Sequence, residues 1–579
     1  MVGVEPGLEV EKVLSAETTG GASLKKDEGS FEGGENEGKT ADEIQVDSKI
    51  LTGKKLALVF TGMLLSVFLI ALDQTILAPA LPVIASKFEA LEQIAWIASA
   101  YFLTQCAFLL LYGQILTLFD RKWTFLFAIL LFELGSLVCA VAKNVDVLIF
   151  GRAFSGCGAA GIFTACLSII ADVTKLEDRP KLLGLFGGVF AISSVVGPLL
   201  GGVFVDHVSW RWCFYINLPF GAVTVAAILL ILGPQPPPPM PEEVAVYTEG
   251  KFRRWTLGKW VPARESLWFR LFALDYLGTV LMLGTITCLL LPLQWGGEKY
   301  AWSSGTIGGL FGAFGALVLI MVAFEWKFAG PSRILPLGYF KDRTQAGACL
   351  IAFFVMLVML IGTYYLPIYY QAAHGVTATR SGISILGYMI GIVVASAVSG
   401  GIISATGRYW PFLVGAPTFT CIGSGLLYTI TEHTSSSKLI GYQILLAIGI
   451  GCVLQNTIIA VQADCDDPAK VPQKTALVTF TQLVGGTIGI SIGSSLFNTR
   501  LASALKEFAP GAPDIVRSSV EAISTVAADV KDGVIHSYVL ALQRVYIIGV
   551  AAGGMAMLSA LLVRNLSIKG KDMMAGGHA

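Results

Sequence analysis

Charged residues are scarce in this sequence. Asp, Glu, Lys and Arg make up 14% of its 579 residues, whereas soluble domains average about 25%. The 40 basic and 40 acidic residues cancel, so no net charge favours nucleic acid as a partner. The ten cysteines contain no CxxC pair with metal-ligand spacing. No histidine cluster or nucleophile–base pair lies in the apolar stretches, which argues against an enzyme, a metal site or a cofactor.

Long apolar stretches are abundant instead. Fourteen of them run from Leu56 almost to the C-terminus, each long enough to cross a hydrocarbon layer of about 30 Å at about 1.5 Å per residue. The sequence therefore predicts an all-α, polytopic membrane protein. The predicted spans are Leu56–Leu77, Trp96–Leu116, Trp123–Ala142, Val147–Ile170, Leu182–Phe204, Trp212–Leu232, Leu274–Leu293, Gly305–Phe324, Ala346–Tyr370, Gly382–Ile403, Pro411–Thr429, Leu439–Ala460, Ala476–Phe497 and Val545–Leu562.

The loops between the spans differ in basic residues. With the N-terminus inside, the six cytoplasmic loops hold eighteen Lys and Arg, and the first six outer loops hold one each. Because basic residues concentrate in cytoplasmic loops, both termini are predicted to be cytoplasmic.

The predicted domains follow from this topology. They are an acidic cytoplasmic tail at 1–50, an N-terminal six-helix lobe at 51–232, a cytoplasmic linker at 233–273, eight C-terminal helices including two extra spans at 274–565, and a cytoplasmic tail at 566–579. The first tail holds too little apolar area to order itself. Its Gly33, Gly38, Lys39 and Thr40 match a phosphate-loop pattern but lack the strand and helix that such a loop requires, so ATP is not expected.

Three ionisable residues lie at bilayer depth, where charge is costly and marks candidate functional sites. Asp73 in the first span and Arg152 in the fourth have similar depths, so they can form a pair, and Glu133 lies near the middle of the third span. A carboxylate whose contacts with water and arginine alternate would take up and release a proton. A static pair that fixes helix packing is the alternative. For Glu325 and Asp275, at span ends where side chains reach water, a structural role is favoured.

Amides and aromatic rings are the other polar groups in the spans. Amides bind neutral polar solutes but also join helices, and tyrosines beside Pro367 fit either a cavity for a flat organic ligand or plain helix contacts. Adjacent amides cannot share one helix face. The candidate cavity residues are Gln105, Tyr365, Tyr369, Gln371, Gln455 and Asn456.

Several motifs carry a family resemblance. They are Leu72-Asp-Gln-Thr-Ile-Leu-Ala-Pro-Ala-Leu-Pro82, Arg152-Ala-Phe-Ser-Gly-Cys-Gly-Ala-Ala-Gly161, Gly188 with Gly197-Pro-Leu-Leu-Gly-Gly202, Trp210-Arg-Trp-Cys-Phe-Tyr-Ile-Asn-Leu-Pro-Phe-Gly221, and Leu293-Gln-Trp-Gly-Gly297. In this order they resemble the first-, fourth- and fifth-span motifs and the branch-specific motifs of the major facilitator superfamily, in particular its fungal fourteen-span drug:proton antiporters. The resemblance covers residues 56 to about 562.

The loop between the second and third spans departs from the family pattern. Gly113 is followed by Thr117 where most superfamily members have Asp, and by Asp120 where they have Gly. Similar replacements occur in fungal toxin exporters. The predicted gating positions are Gly113, Asp120, Arg121, Lys122, Gly197, Pro198, Gly201 and Gly202.

The resemblance implies two lobes of six helices around an alternating-access cavity, with two added spans, which by the order of the chain are the seventh and eighth or a pair nearby. It implies a monomer in the plasma membrane or vacuolar membrane that exports a hydrophobic organic molecule, such as a fungal secondary metabolite, mycotoxin or antifungal drug. The energy source would be a proton gradient, without ATP or a cofactor. Asp73 and Arg152 would couple the proton to transport, with Glu133 third.

Two other functions compete with efflux. One is transport of a small nutrient or siderophore at the vacuolar or plasma membrane; the fifth-span antiporter motif argues against import. The other is a non-transporting membrane sensor that signals through its tail. That tail has a low-complexity sequence without a domain, which argues against the sensor.

The predicted orientation has a direct test. Asn565-Leu-Ser567 matches the glycosylation pattern, but a cytoplasmic C-terminus keeps it from being modified. We expect no mass change when the expressed protein is treated with an endoglycosidase, whereas an acceptor site inserted between Thr499 and Gln543 should be glycosylated. A glycan on Asn565 would contradict the orientation.

Overall fold

The computed structural model describes residues 53–569, except 78–79, 81–83, 85–87, 89–93, 175–177, 232–239, 256–261, 297–299, 328–329, 377, 468–469, 518–519, 521–522 and 525. The predicted tail at 1–50, most of the predicted tail at 566–579 and the phosphate-loop-like sequence lie outside the described residues.

Within the described residues, fourteen helices are long and apolar enough to cross a membrane. They are α1 Gly53–Ile76, α2 Ile94–Leu118, α3 Arg121–Val141, α4 Val145–Val173, α5 Arg179–His207, α6 Asn217–Ile231, α7 Tyr276–Trp295, α8 Gly305–Lys327, α9 Arg343–His374, α10 Leu386–Thr406, α11 Trp410–Tyr428, α12 Ser436–Leu454, α13 Val471–Phe508 and α14 Ala528–Ala560. The predicted all-α fold with fourteen spans is confirmed.

Shorter helices connect these spans. They are Trp212–Tyr215, which leads into α6, Glu242–Trp255 and Leu267–Phe272 before α7, Ala378–Ser384 before α10 and Asn456–Ala463, which continues α12. Single 3₁₀ turns lie at Gly330–Ser332, Leu337–Lys341 and Asp514–Arg517.

The last two helices are longer than the sequence predicts. The sequence predicts these spans at Ala476–Phe497 and Val545–Leu562, but α13 runs on to Phe508 and α14 already begins at Ala528, so the connector Thr499–Gln543 is partly helical. Hydropathy falls where a helix leaves the bilayer, although the backbone hydrogen bonds of the helix continue. A search for apolar stretches therefore underestimates the length of such helices. The Tyr538 hydroxyl donates to the Val516 carbonyl at 2.5 Å, which attaches the connector to α14.

The helices pack in two groups of six. In the first group, α4 packs between α2 and α3, and α1 packs on α5 and α6. In the second group, α9 packs on α13 and α14, α11 packs on α12 and α14, and α10 packs on α12. The groups meet where α5 contacts α10 and where α2 contacts α13. α7 packs on α8 and also touches α2 and α13. One cluster of buried apolar side chains runs through both groups, and a smaller one surrounds Leu72, Ile76 and Trp210.

We call the end of the bundle that holds the α2–α3 and α4–α5 loops the basic end. Here the two groups are joined by the buried Arg179, whose Nη1 donates to Gln462 Oε1 at 3.2 Å. Gly113 of α2 faces α13 so closely that a Cβ on it would lie 2.7 Å from the Ala476 Cβ. Gly113 therefore permits the contact between α2 and α13.

The segment before α7 is fixed to the basic end of α2. Arg270 in the helix Leu267–Phe272 donates to the Leu118 carbonyl in the last turn of α2, a position that favours a cation. Gln114 accepts a hydrogen bond from the Asp275 backbone N–H at 3.2 Å. These contacts position α7 against the first six helices.

Glycine on α5 allows close contact with α1. A Cβ at Gly197 would come within 2.8 Å of the Thr75 Cβ and 3.1 Å of the Ile76 backbone nitrogen. The Thr75 hydroxyl also donates to the Ser193 carbonyl at 2.9 Å, which fixes the two helices at the same level. Gly201 is buried one turn further along α5. The sequence Gly197–Gly202, predicted from its resemblance to an antiporter motif, thus lies at a helix contact.

Substitution of two glycines in this motif should have opposite outcomes. Gly197→Ala should separate α1 from α5 and lower the unfolding free energy by about 1–3 kcal/mol, because overpacking strains a filled contact. Gly202→Ala, on the other side of Pro198, should be neutral or slightly stabilising, since nothing lies within 4 Å of its new Cβ and alanine favours helix. Thermal unfolding of the purified protein in detergent measures both. Equal midpoints for the two variants would contradict the close α1–α5 contact.

Candidate transport site

A buried ion pair joins α1 and α4. Asp73 lies in the last turn of α1, and α4 starts at Val145, where the Asn144 side chain accepts from the Val147 N–H at 2.9 Å and caps the helix. Arg152 follows two turns later. Its Nη1 is 2.5 Å from Asp73 Oδ2, and the two side chains are 2% and 0% exposed. The residues that the sequence places at similar depth therefore touch.

Arg152 has further partners on α2. Its Nε donates to the Ile97 carbonyl at 3.2 Å, and its guanidinium carbon lies 4.4 Å from the centre of the Tyr101 ring. Cation–π contact with a desolvated guanidinium is favourable. The charge of Arg152 thus keeps two contacts besides Asp73.

The other Asp73 oxygen is bound by α6. Asn217 Nδ2 lies 3.3 Å from Asp73 Oδ1 and 3.1 Å from Ser136 Oγ of α3. All three side chains are fully buried. Sequence reasoning missed Asn217 and Ser136 as site residues, although Asn217 belongs to the motif Trp210–Gly221; its position as first residue of α6, after a separate short helix, was the missing information.

Glu133 lies on α3 one turn before Ser136. Both of its carboxylate oxygens are buried and, among the described residues, neither has a hydrogen-bond partner. The carboxylate occupies the space left by Gly221 of α6, because a Cβ on Gly221 would overlap it. Glu133 and Asp73 also interact electrostatically. Two carboxyl groups therefore lie in the same α1–α3–α6 region, one paired and one not.

The polar residues of the α2–α3 loop stabilise helix ends. Asp120 accepts from the Trp123 backbone N–H at 2.9 Å and caps α3, which begins at Arg121. Lys122 Nζ donates to the Leu229 carbonyl at 3.3 Å, near the C-terminal end of α6, where a positive charge is favourable. These contacts connect α3 with its neighbours at the basic end.

The candidate cavity residues fall in separate places. Gln105 is buried in α2. In the second group, Gln371 Nε2 donates to Ser381 Oγ at 2.9 Å, and the Tyr369 hydroxyl donates to the Thr431 carbonyl at 2.6 Å. Both contacts lie within the second group, at the end opposite the basic end.

Three further candidates lie inside the second group. The Tyr365 ring packs 5.8 Å from that of Phe497 on α13. At Gln455, where α12 gives way to Asn456–Ala463, the Leu454 carbonyl accepts from Gln482 Nε2 at 2.9 Å. Asn456 Nδ2 donates to Ser399 Oγ at 3.2 Å. Gln455 and Asn456 thus flank a helix break that polar contacts with α13 and α10 stabilise.

The described residues contain no group of three or more His, Cys, Asp or Glu side chains placed to hold a metal ion. The set of described polar groups around Asp73 is ionic and hydrogen-bonding. It consists of one guanidinium, one paired carboxylate, an amide, a hydroxyl and the Glu133 carboxyl.

Known proteins resemble the chain in sequence. The family model described as Major Facilitator Superfamily matches residues 63–340. "MFS-type transporter astH" of Aspergillus oryzae is 39% identical over 526 residues, which is 90% of this chain and 88% of the relative. "MFS-type efflux pump MFS1" of Trichophyton rubrum is 40% identical, with 90% and 94% covered. "Efflux pump aflT" of Aspergillus parasiticus is 40% identical, with 80% and 86% covered.

Solved structures resemble it in fold. The human organic anion transporter MFSD10 matches with a TM-score of 0.56 at 13% identity, covering 89% of this chain and 100% of the other. The proton:xylose symporter XylE matches with a TM-score of 0.55 at 12% identity, covering 90% and 98%. The fold is that of a multi-pass membrane transporter. The chain belongs to the major facilitator superfamily, and its fungal relatives of about 40% identity carry the names MFS-type transporter or efflux pump.

Asp275 and Glu325 differ from the sequence-based expectation that they reach water. Asp275 is 7% exposed and Glu325 is fully buried. Asp275 Oδ1 accepts from the Gly278 N–H at 2.8 Å and caps α7, and Glu325 Oε1 accepts from the Leu335 N–H at 3.3 Å. Burial raises the pKa of the Asp275 carboxyl above its usual range, although the Gly278 and Ile334 N–H groups and the charge of Lys251 oppose this. The segment after α8 folds back over both side chains.

The raised pKa predicts a stabilising substitution. A group whose pKa is higher in the folded than in the unfolded state stabilises the fold at low pH, and this contribution is lost as the pH rises through the folded-state pKa. Asp275→Asn keeps the cap and removes the charge, so it should raise the midpoint of thermal unfolding at pH 7.5. The difference in midpoint from the unchanged protein should shrink as the pH is lowered towards the ordinary pKa range of Asp.

A second cap provides the matched control. Asp342 caps α9 but also pairs with Lys474 at 3.2 Å, so Asp342→Asn should lower the midpoint at pH 7.5. A lower midpoint for Asp275→Asn at that pH would contradict the burial argument.

Proposed function

We propose that this protein exports a hydrophobic small organic molecule, such as a fungal secondary metabolite, mycotoxin or antifungal drug, in exchange for protons. The observation that carries the proposal is the fully buried Asp73–Arg152 pair between α1 and α4. A proton gradient is the energy source that a buried carboxyl can use.

Neutralising Asp73 changes the forces on two helices. While the carboxylate is ionised, it compensates the charge of Arg152 in a low-dielectric interior, and losing one partner of such a pair costs about 3–5 kcal/mol. A proton on Asp73 therefore favours a conformation in which Arg152 reaches water or another anion. The contacts of Arg152 with Ile97 and Tyr101 of α2 link this change to a helix that meets the second group. Glu133 is the third coupling group, as a nearby carboxyl without a partner among the described residues.

Export is favoured by the fungal relatives, two of which are named efflux pumps. We assign gating roles to Gly113, Asp120, Arg121 and Lys122, since the α2–α3 loop lies beside the α2–α13 contact. The α5 motif would bend and slide against α1 in the same transition. Both termini would be cytoplasmic, in the plasma membrane.

The solute would be held between the two helix groups. The candidate polar contacts are Gln105 of the first group and the cavity residues of the second. A cluster of buried apolar side chains runs through both groups, which fits a hydrophobic organic molecule.

Transport by variants of the ion pair tests the coupling. A panel of hydrophobic organic compounds is screened with the unchanged protein in inverted vesicles under an imposed pH difference, and the compound moved fastest is used for the variants. Asp73→Asn and Arg152→Ala should each reduce proton-driven transport at least about a hundredfold, since each removes a charge that the cycle requires.

The controls separate coupling from expression. Asp178→Asn removes one partner of an exposed i,i+3 pair with Lys181 and should transport normally. Amounts of protein in the membrane are compared by immunoblot. Full transport by both ion-pair variants, or equal transport by the unchanged protein after the pH difference is collapsed, would contradict proton coupling.

A further inference from the structure

Asp73 is held from two sides by different chemistry. Arg152 contacts Oδ2, and Asn217 donates to Oδ1 at 3.3 Å. The same Asn217 nitrogen also lies 3.1 Å from Ser136 Oγ. Because Asp73, Asn217 and Ser136 are each 0% exposed, the amide and the hydroxyl stand where water would otherwise solvate the carboxylate.

The fold brings these three side chains together from three helices. α6 is interrupted at its start, so that Asn217 is its first residue after the short helix Trp212–Tyr215. α3 contributes Ser136, which contacts Asn217, and α1 ends one turn beyond Asp73.

One polar atom of this cluster is unused. Asn217 Oδ1 is buried and, among the described residues, has no hydrogen-bond partner. An amide carries both donors and an acceptor, and a hydroxyl both donates and accepts. An ionised carboxylate only accepts, whereas a protonated carboxyl also donates. The cluster therefore contains the partner that each protonation state of Asp73 needs.

We propose that Asn217, assisted by Ser136, is a positioning residue for the proton on Asp73. Its Nδ2 donates to the ionised carboxylate, and after rotation of the amide its Oδ1 accepts from the protonated carboxyl. The proton comes from water that reaches Asp73 and returns to water, so Asn217 and Ser136 gain and lose none. This inference rests on the proposed coupling role of Asp73 and names the residues that make its two states reversible.

Other groups also act on Asp73. The titratable or charged side chains that interact with it are Tyr101 of α2, Glu133 and Cys139 of α3, Arg152 of α4 and Cys213 of the short helix before α6. None of these is changed by a substitution at Asn217. An altered titration in an Asn217 variant therefore reports the amide.

The test measures protonation of Asp73 without a transported compound. Infrared difference spectra of the purified protein are recorded across pH, and the carboxyl band that Asp73→Asn removes is assigned to Asp73. Asn217→Leu keeps approximate volume and removes the donor. A hydrogen bond to a charged group stabilises the ionised form, so the band's titration midpoint should move about one unit to higher pH, a tenfold change in proton affinity.

Two further variants keep the result interpretable. Ser136→Ala deletes one oxygen and therefore perturbs the fold less than Asn217→Leu does. It should shift the titration midpoint of the Asp73 band in the same direction, but by a smaller amount. Thr224→Val, on the same α6 face, removes a buried hydroxyl that donates to the Phe220 carbonyl of its own helix at 3.0 Å, and should leave the midpoint unchanged.

The outcomes distinguish the two proposals. An Asp73 band whose midpoint is unchanged in Asn217→Leu and Ser136→Ala overturns the role of Asn217 and leaves proton coupling standing. A shift of equal size in Thr224→Val also overturns it, since the effect is then general to α6. If no band depends on Asp73 at any pH, both the positioning role and the coupling role fail.

Discussion

An aspartate and an arginine that lie together out of contact with water constrain everything around them. Each charge loses several kcal/mol of hydration on burial, and only the opposite charge and good hydrogen bonds return it. Asp73 and Arg152 consequently require α1 and α4 at a fixed level, α2 beneath the guanidinium, and α3 and α6 around the second carboxylate oxygen. Five of the first six helices thus share one electrostatic requirement.

The contacts between the two helix groups are of a different kind. Small residues let backbones approach, as Gly113 does between α2 and α13, and within the described residues Arg179 adds a polar contact with Gln462. Close contacts between small residues have little directional chemistry of their own, so helices joined by them can slide without breaking many hydrogen bonds. The arrangement suits the proposed cycle. The first helix group, held by its buried ion pair, would carry the proton, and the weaker contacts between the groups would let the first group move against the second.

The α7–α8 pair is attached from outside this arrangement. Arg270 and Gln114 hold the start of α7 to the basic end of α2, while Asp275 and Glu325 are covered by the segment after α8. Hydropathy identified both helices as spans, but it described their acidic ends as reaching water. Hydropathy cannot detect this burial, because a loop that folds back over a helix end does not change the composition of the helix itself.

The sequence alone determined the fourteen crossings and the depth of Asp73 and Arg152, since the length of an apolar stretch and the rise per residue depend on the chain and the bilayer only. Motif resemblance indicated the family. Only the tertiary structure decided that Asn217 and Ser136 meet Asp73, that Glu133 fills the space at Gly221, and that α12 breaks beside Gln455. These contacts depend on the rotation of each helix about its axis and on where helices are interrupted, and those are set by packing against neighbours distant in the chain.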